Sequence, residues 1–114
     1  MATASYSLLR IFTDETAMQG DRFVLELLVE QAKASNLLGL TVLQGRLGYG
    51  HSKLVHATRF LGRNNPLVIE IVDEEDRLRG FMAAIEHIPG IGLVTIASVE
   101  PLVGARTPSA IPGS

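Results

Sequence analysis

Apolar and polar residues are distributed along the chain in a pattern that predicts four strands and two helices. The segments 6–12, 40–44, 67–72 and 93–99 are short, apolar and mostly rich in β-branched or aromatic residues, which is typical of strands. Two other segments carry apolar residues at helical spacing. The resulting order predicts an α+β fold, a ferredoxin-like βαββαβ plait in which two helices cover one face of a four-stranded antiparallel sheet.

The ends of the two predicted helices are marked by residues that favour helix caps. We expect the first helix to follow an N-cap at Asp21, to bury Phe23, Val24, Leu27 and Leu28, and to end at Gly39. We expect the second helix to have Asp73 as its N-cap, Asp76 in the capping-box position and Pro89–Gly90 at its end. Its apolar stripe consists of Leu78, Phe81, Met82, Ile85 and Ile88.

The third predicted strand is apolar on both of its faces. Leu67, Ile69 and Ile71 alternate with Val68, Glu70 and Val72, whereas a strand with one face in water normally alternates apolar and polar residues. Hydrophobic residues make up 46% of this short chain, and excess apolar surface is commonly covered by a partner subunit. The pattern therefore predicts that the sheet face opposite the helices is a subunit interface.

Composition narrows the classes of function further. No segment approaches the roughly 20 apolar residues of a membrane span, and the first residues lack the features of a secretory signal. The chain has no cysteine, which excludes disulfides and fits a cytoplasmic location. A net charge of −2 and the absence of tryptophan argue against a nucleic-acid partner. We expect one domain over residues 1–104, no direct membrane insertion, and a flexible tail over residues 105–114.

A glycine-rich segment begins the long connection between the second and third strands. Residues 45–52 (GRLGYGHS) nearly match a phosphate-binding P-loop, but His51 stands where that motif requires lysine, which argues against a P-loop NTPase. Two interpretations remain open. The glycines either let the strand turn into a mobile loop, or they allow backbone amides to approach a ligand. Long loops of this kind are often functional, and we expect residues 45–65 to be mobile without ligand.

The same connection carries a cluster of basic residues, Lys53, His56, Arg59 and Arg63. This cluster is either a solvated loop surface or a contact for phosphates or an acidic partner. His51 and His56 are five residues apart with no nearby carboxylate or cysteine, so we predict no metal site there. The acidic run 74–76 lies at a predicted helix start, where the helix dipole explains it. No residue combination suggests catalysis, and we predict that the protein is not an enzyme.

Several short motifs, in this order, resemble the PII signal-transduction proteins. The segments 39–42 (GLTV) and 48–50 (GYG) are similar to the PII second strand and the start of its T-loop. The segment 68–72 is similar to the PII third strand, and the segment 99–107 resembles the PII C-terminal region. Residues 43–50 and 71–73 look more closely like an uncharacterised PII-like family known as a domain of unknown function. The resemblance covers about residues 8–107.

The resemblance implies a homotrimer whose intersubunit clefts bind an adenine nucleotide or a small anion. It also implies a T-loop, here residues 45–65, that signals to a target such as a membrane transporter or an enzyme. The implied nucleotide-binding residues are Gly48, Gly50, Glu70, Val72, Gly90, Gly92 and Arg106. The predicted contacts of the loop with a partner or anion are Arg46, Tyr49, His51, Lys53, His56, Arg59 and Arg63.

Two departures from the PII pattern affect the expected ligand. The segment 89–93 lacks the lysine of the PII phosphate-binding loop, and Gly104 replaces the first arginine of the C-terminal pair. We therefore expect AMP or ADP, or a small anion, to be favoured over ATP, with no cofactor required. The alternative is a trimeric structural or metal-handling module of CutA-like architecture.

Overall fold

The computed structural model of the protein describes residues 5–45 and 66–106, which form a four-stranded antiparallel sheet with two helices on one face. The sheet contains β1 (Tyr6–Asp14), β4 (Thr41–Gln44), β5 (Pro66–Glu74) and β6 (Val94–Val99). A short hairpin is formed by β2 (Met18–Gln19) and β3 (Arg22–Phe23), and the helices are α1 (Val24–Ala34) and α2 (Glu75–Ile85). The strand order β4-β5-β1-β6 confirms the predicted ferredoxin-like plait.

The core lies between the helices and the two central strands. Leu9 pairs in register with Ile71, and Ile11 pairs with Ile69, so these four side chains share one face of the sheet and are fully buried. The helices contribute a second set of buried residues, which includes Val24, Leu28, Leu78, Phe81 and Ile85. The predicted apolar stripe of α2 is therefore confirmed, with Met82 partly buried at its margin.

The start of α1 differs from the prediction because a hairpin precedes the helix. Gly20 and Asp21 form the turn between β2 and β3, and Gly20 has a φ of 63°, a conformation that glycine adopts without strain. Phe23 is the N-cap and lies exposed, so Asp21 does not cap the helix and Phe23 does not join the core. The strands of the hairpin have two residues each, which is too short for alternation to be visible in the sequence.

Both helices also end earlier than predicted. α1 ends at Ala34, and Asn36 (not Gly39) has the left-handed conformation, with a φ of 56°. α2 follows an N-cap at Glu74 that makes no side-chain cap hydrogen bond, so the predicted cap at Asp73 and capping box at Asp76 are wrong. The carboxylate of Asp73 makes other contacts, which are described below.

The sheet face opposite the helices is largely apolar, as predicted. Leu8, Phe12, Val68 and Val72 lie on this open face by register and are at least partly exposed. Near its centre Arg10 pairs with Glu70, with 2.8 Å between the guanidinium and the carboxylate. The role of this face as a subunit interface stays a prediction. None of the helices over residues 5–45 and 66–106 is long and apolar enough to cross a membrane.

Candidate functional site

A cavity of about 340 Å³ lies against the open face where β5 passes the start of β4. Glu70 and Val72 of β5 and Tyr6 of β1 form its floor. Its two walls are residues 38–41, which lead into β4, and residues 101–105, which follow β6. The structure therefore brings together Glu70 and Val72, two of the predicted site residues, with part of the segment that resembles the PII second strand.

Glu70 is the charged side chain among the described residues that line this cavity. Its Oε2 accepts a hydrogen bond from Arg10 Nε at 2.8 Å and forms an ion pair with Arg10 Nη2, also at 2.8 Å, and these contacts hold the carboxylate in place. Within residues 5–45 and 66–106, its Oε1 has no protein donor, so a bound molecule can donate to it. Apart from the hydroxyl groups of Tyr6 and Thr41, the remainder of the described lining is apolar or backbone and carries no cation, which suits a flat group with hydrogen-bond donors better than a phosphate.

The two walls of the cavity are joined by an ion pair behind it. Arg106 donates from Nε to Asp73 Oδ1 at 3.2 Å and from Nη2 to Asp73 Oδ2 at 2.8 Å. The same Nη2 donates to the carbonyl of Asn36 at 2.7 Å, and the Leu38 amide donates to Asp73 Oδ2 at 2.8 Å. The Arg106 amide donates to the hydroxyl of Tyr6 at 2.8 Å. The end of one wall is thus bonded to the start of the other.

The environment of Asp73 keeps its carboxylate ionised although it is fully buried. Burial by itself raises the pKa of Asp73, but the hydrogen bonds from Arg106, Glu74 and Leu38 outweigh it and leave the pKa below its usual value. The bond to Asp73 raises the pKa of Arg106 in turn. Both partners therefore carry full charge at neutral pH.

The Asp73–Arg106 pair was not predicted, although one sequence signal pointed to Asp73. The alternation of buried residues 67, 69 and 71 places Asp73 on the same helix-facing side of β5. A buried carboxylate needs a cation or several donors, so this position indicates that a partner lies elsewhere in the chain. The partner is 33 residues away, and no local pattern identifies it. The predicted contact of Arg106 with phosphate stays a prediction.

Gly90 and Gly92 lie away from this cavity, in the connection between α2 and β6. Gly90 has a φ of 87°, and a Cβ at that position would come within 2.8 Å of the Ala17 Cβ. A Cβ at Gly92 would lie 3.1 Å from the carbonyl oxygen of Phe12. Close packing within the chain thus accounts for both glycines. Their predicted place beside a ligand phosphate stays a prediction.

The remaining predicted site residues fall outside the described ranges. They are Gly48 and Gly50 of the nucleotide set, and Arg46, Tyr49, His51, Lys53, His56, Arg59 and Arg63 of the partner or anion set. The prediction that residues 45–65 are mobile falls almost entirely there as well. Among residues 5–45 and 66–106, no group of three His, Cys, Asp or Glu side chains is arranged to hold a metal ion.

Comparison of the sequence with known families and proteins finds similarity over most of the chain. The sequence model of DUF190, a family described as an uncharacterized ACR, matches residues 6–101. The chain is also similar to the UPF0166 protein of Aquifex aeolicus (strain VF5). The two are 37% identical over 103 residues, which cover 88% of this chain and 96% of that protein.

Comparison with solved structures identifies PII proteins as structural neighbours. CPII from Thiomonas intermedia K12, solved with ADP, AMP and acetate bound, has a TM-score of 0.63 at 11% identity over 84% of this chain and 87% of CPII. GlnK of Bacillus subtilis has a TM-score of 0.51 at 17% identity over 84% and 86%. A functionally unknown protein from Pediococcus pentosaceus ATCC 25745 has a TM-score of 0.55 at 18% identity over 90% and 99%. These likenesses confirm the PII-like fold.

Proposed function

The chain belongs to the DUF190 family, and on that premise we propose that it is a PII-like regulatory protein, not an enzyme, that binds an adenine nucleotide or a small anion. The fold supports this proposal because it is shared with CPII, which was solved with ADP, AMP and acetate bound. The protein acts as a homotrimer, and residues 45–65 report the occupancy of the site to a target protein such as a transporter or an enzyme.

The observation that carries the proposal is the cavity over Glu70 and Val72. Its volume, about 340 Å³, lies within the range of small-molecule sites. We propose that the adenine ring lies against Val72 and that its exocyclic amine donates to the carboxylate of Glu70. Because no cationic side chain is among the described lining residues, we expect the phosphates to extend out of the cavity, and contact with Gly48 and Gly50 stays a prediction.

The length of the phosphate chain has a predictable effect on affinity. The lysine of the PII phosphate-binding loop and the first C-terminal arginine have no counterpart in segments 89–93 and 104–106. Each missing charge-assisted contact is worth roughly 1.5–3 kcal/mol, and the loss falls mainly on the outer phosphates. AMP and ADP should therefore bind at least as tightly as ATP.

Isothermal titration calorimetry with adenosine, AMP, ADP and ATP tests this function. Gly39→Leu provides a variant that fills the site, because Gly39 lines the cavity, has a φ outside the left-handed region and leaves open space for a Cβ. Gly80→Leu is the matched control, since Gly80 also has open space but lies on α2. We expect Gly39→Leu to weaken nucleotide binding by at least about tenfold and Gly80→Leu to leave it unchanged.

Two results would contradict the proposed function. The first is that neither an adenine nucleotide nor a small anion such as bicarbonate binds the wild-type protein, and the second is that ATP binds far more tightly than AMP. Titration with divalent metals belongs in the same experiment, because stoichiometric binding that is lost in His51→Ala or His56→Ala would favour the metal-handling alternative.

A further inference from the structure

The C-terminal segment, residues 100–106, forms one wall of the cavity and has few attachments of its own. Leu102 and Val103 are 86% and 90% exposed, so the segment is not held by burial of its apolar side chains. In the described part of the chain, the hydrogen bonds of this segment are those of Arg106. The segment is therefore fixed at one end by β6 and at the other by Arg106.

The contacts of Arg106 reach the opposite wall as well as the sheet. Asp73 accepts hydrogen bonds from both the Arg106 guanidinium and the Leu38 amide. The guanidinium also donates a hydrogen bond to the carbonyl of Asn36. Asn36 and Leu38 belong to the connection that continues into the wall at residues 38–41. If the Arg106 guanidinium left Asp73, the segment would lose its side-chain anchor and keep the bond from its amide to Tyr6, and the connection would lose one of the bonds that order it.

We propose that Asp73 and Arg106 are positioning residues that hold the two walls of the ligand cavity together, and that Arg106 acts through the wall without contacting phosphate. The inference rests on the proposed function for its ligand but on the contacts above for its geometry. Moving Arg106 to a phosphate would leave the Asp73 carboxylate buried without its cation, which is strongly unfavourable. A guanidinium bonded to two carboxylate oxygens and a carbonyl is suited to fix geometry.

Amide hydrogen exchange measured by NMR on the ligand-free full chain tests the geometric part. Arg106→Lys keeps the charge but loses the forked geometry, and we expect the amides of Leu38 and Arg106 to exchange about tenfold faster, with Ile69 unchanged. Arg22→Lys is the matched control, because Arg22 makes a similar forked pair with Glu30 on the exposed surface and neither residue lines the cavity. It should leave both reporter amides unchanged.

Tyr6→Phe is a second and milder variant, which removes only the acceptor of the Arg106 amide. It should speed exchange of the Arg106 amide without unfolding the protein. If Arg106→Lys folds poorly, this variant decides whether the contacts of Arg106 hold the wall of the cavity in place. Unchanged exchange at Leu38 and Arg106 in Arg106→Lys would overturn the proposal. An equal acceleration at Ile69 would also overturn it, because it would show a general loss of stability.

Ligand affinity separates positioning from direct phosphate contact. If Arg106 positions the wall, Arg106→Lys weakens adenosine, AMP and ATP by the same factor, about tenfold. If Arg106 binds phosphate, adenosine is unaffected and the loss grows with the number of phosphates, which would overturn the proposal. If the wild-type protein binds none of the three ligands, the nucleotide part of the proposed function fails, and the exchange experiment alone decides the role of the ion pair.

Discussion

The carboxylate of Asp73 is fully buried, and its neighbours determine both its charge and its structural effect. It accepts hydrogen bonds from the Arg106 guanidinium and from the amides of Leu38 and Glu74. A buried ion is tolerated only when nearly all of its lone pairs are used in this way. One side chain thus joins the end of β5, the start of α2, the connection into β4 and the C-terminal segment.

The lowered pKa of Asp73 predicts a specific pH dependence of stability. A carboxyl whose pKa is lower in the folded state stabilises the protein above its unfolded pKa, about 3.9, and this contribution is lost as pH falls through the folded pKa. Asp73→Asn should lower the free energy of unfolding at pH 7 by roughly 3–5 kcal/mol and show a smaller further loss below about pH 4 than the wild type. Urea unfolding at pH 7 and pH 3 measures both effects.

The exposed Asp76 of α2 provides the control for this prediction. Asp76→Asn should leave the difference between the two pH values close to that of the wild type. If the Asp73→Asn and wild-type proteins lose the same free energy between pH 7 and pH 3, the ionised state assigned to Asp73 is wrong.

At the scale of elements, the accuracy of the sequence prediction depended on how many residues each pattern spanned. β5 and α2 were predicted within about two or three residues of their ends, because each buries a run of several regularly spaced apolar residues. The β2–β3 hairpin was missed, since two-residue strands show no periodicity. The start of α1 was then assigned to the turn residue Asp21 of that hairpin.

Residues of the candidate site were predictable only where they belong to a local sequence motif. Glu70 and Val72 were identified through the resemblance of β5 to a PII strand, and both line the cavity. The hydrogen bond between Tyr6 and Arg106 joins residues 100 positions apart, and no local pattern in a single sequence identifies such a pair. The walls of the cavity became apparent only when the fold brought the two chain segments together.

Two glycines, one inside α2 and one in the connection after it, should respond to alanine substitution with opposite changes in stability. Gly80 lies inside the helix with open space where an alanine methyl group would lie, so Gly80→Ala should stabilise the protein by about 0.5–1 kcal/mol. Gly90→Ala should destabilise it, because its φ is 87° and the new methyl group would lie 2.8 Å from that of Ala17. Thermal unfolding of both variants measures whether each substitution raises or lowers the stability. A stabilised Gly90→Ala variant would contradict the packing described for this connection.

For the molecule as a whole, the sheet separates a filled core from a face that no described helix or strand covers. One side of β1 and β5 is buried under the helices, whereas the other presents Leu8, Phe12 and Val68 around the Arg10–Glu70 ion pair. Leu43 of β4 adds a further exposed apolar side chain in register with Val68. Apolar residues gathered on one face favour association, whereas the same number scattered over the surface would need no explanation.

We therefore predict that the protein is a homotrimer in solution, held together at least in part by this open face. Light scattering at micromolar concentration should give a mass close to three times the 12.3 kDa of the chain. Phe12→Lys places a charge on the open face and should shift the mass towards the monomer. Phe23→Lys is the matched control, because Phe23 is 46% exposed on the hairpin, comparable with 37% for Phe12, but lies outside the sheet. A wild-type mass near that of one chain, or dissociation by Phe23→Lys and not by Phe12→Lys, would show that the open face is not the interface.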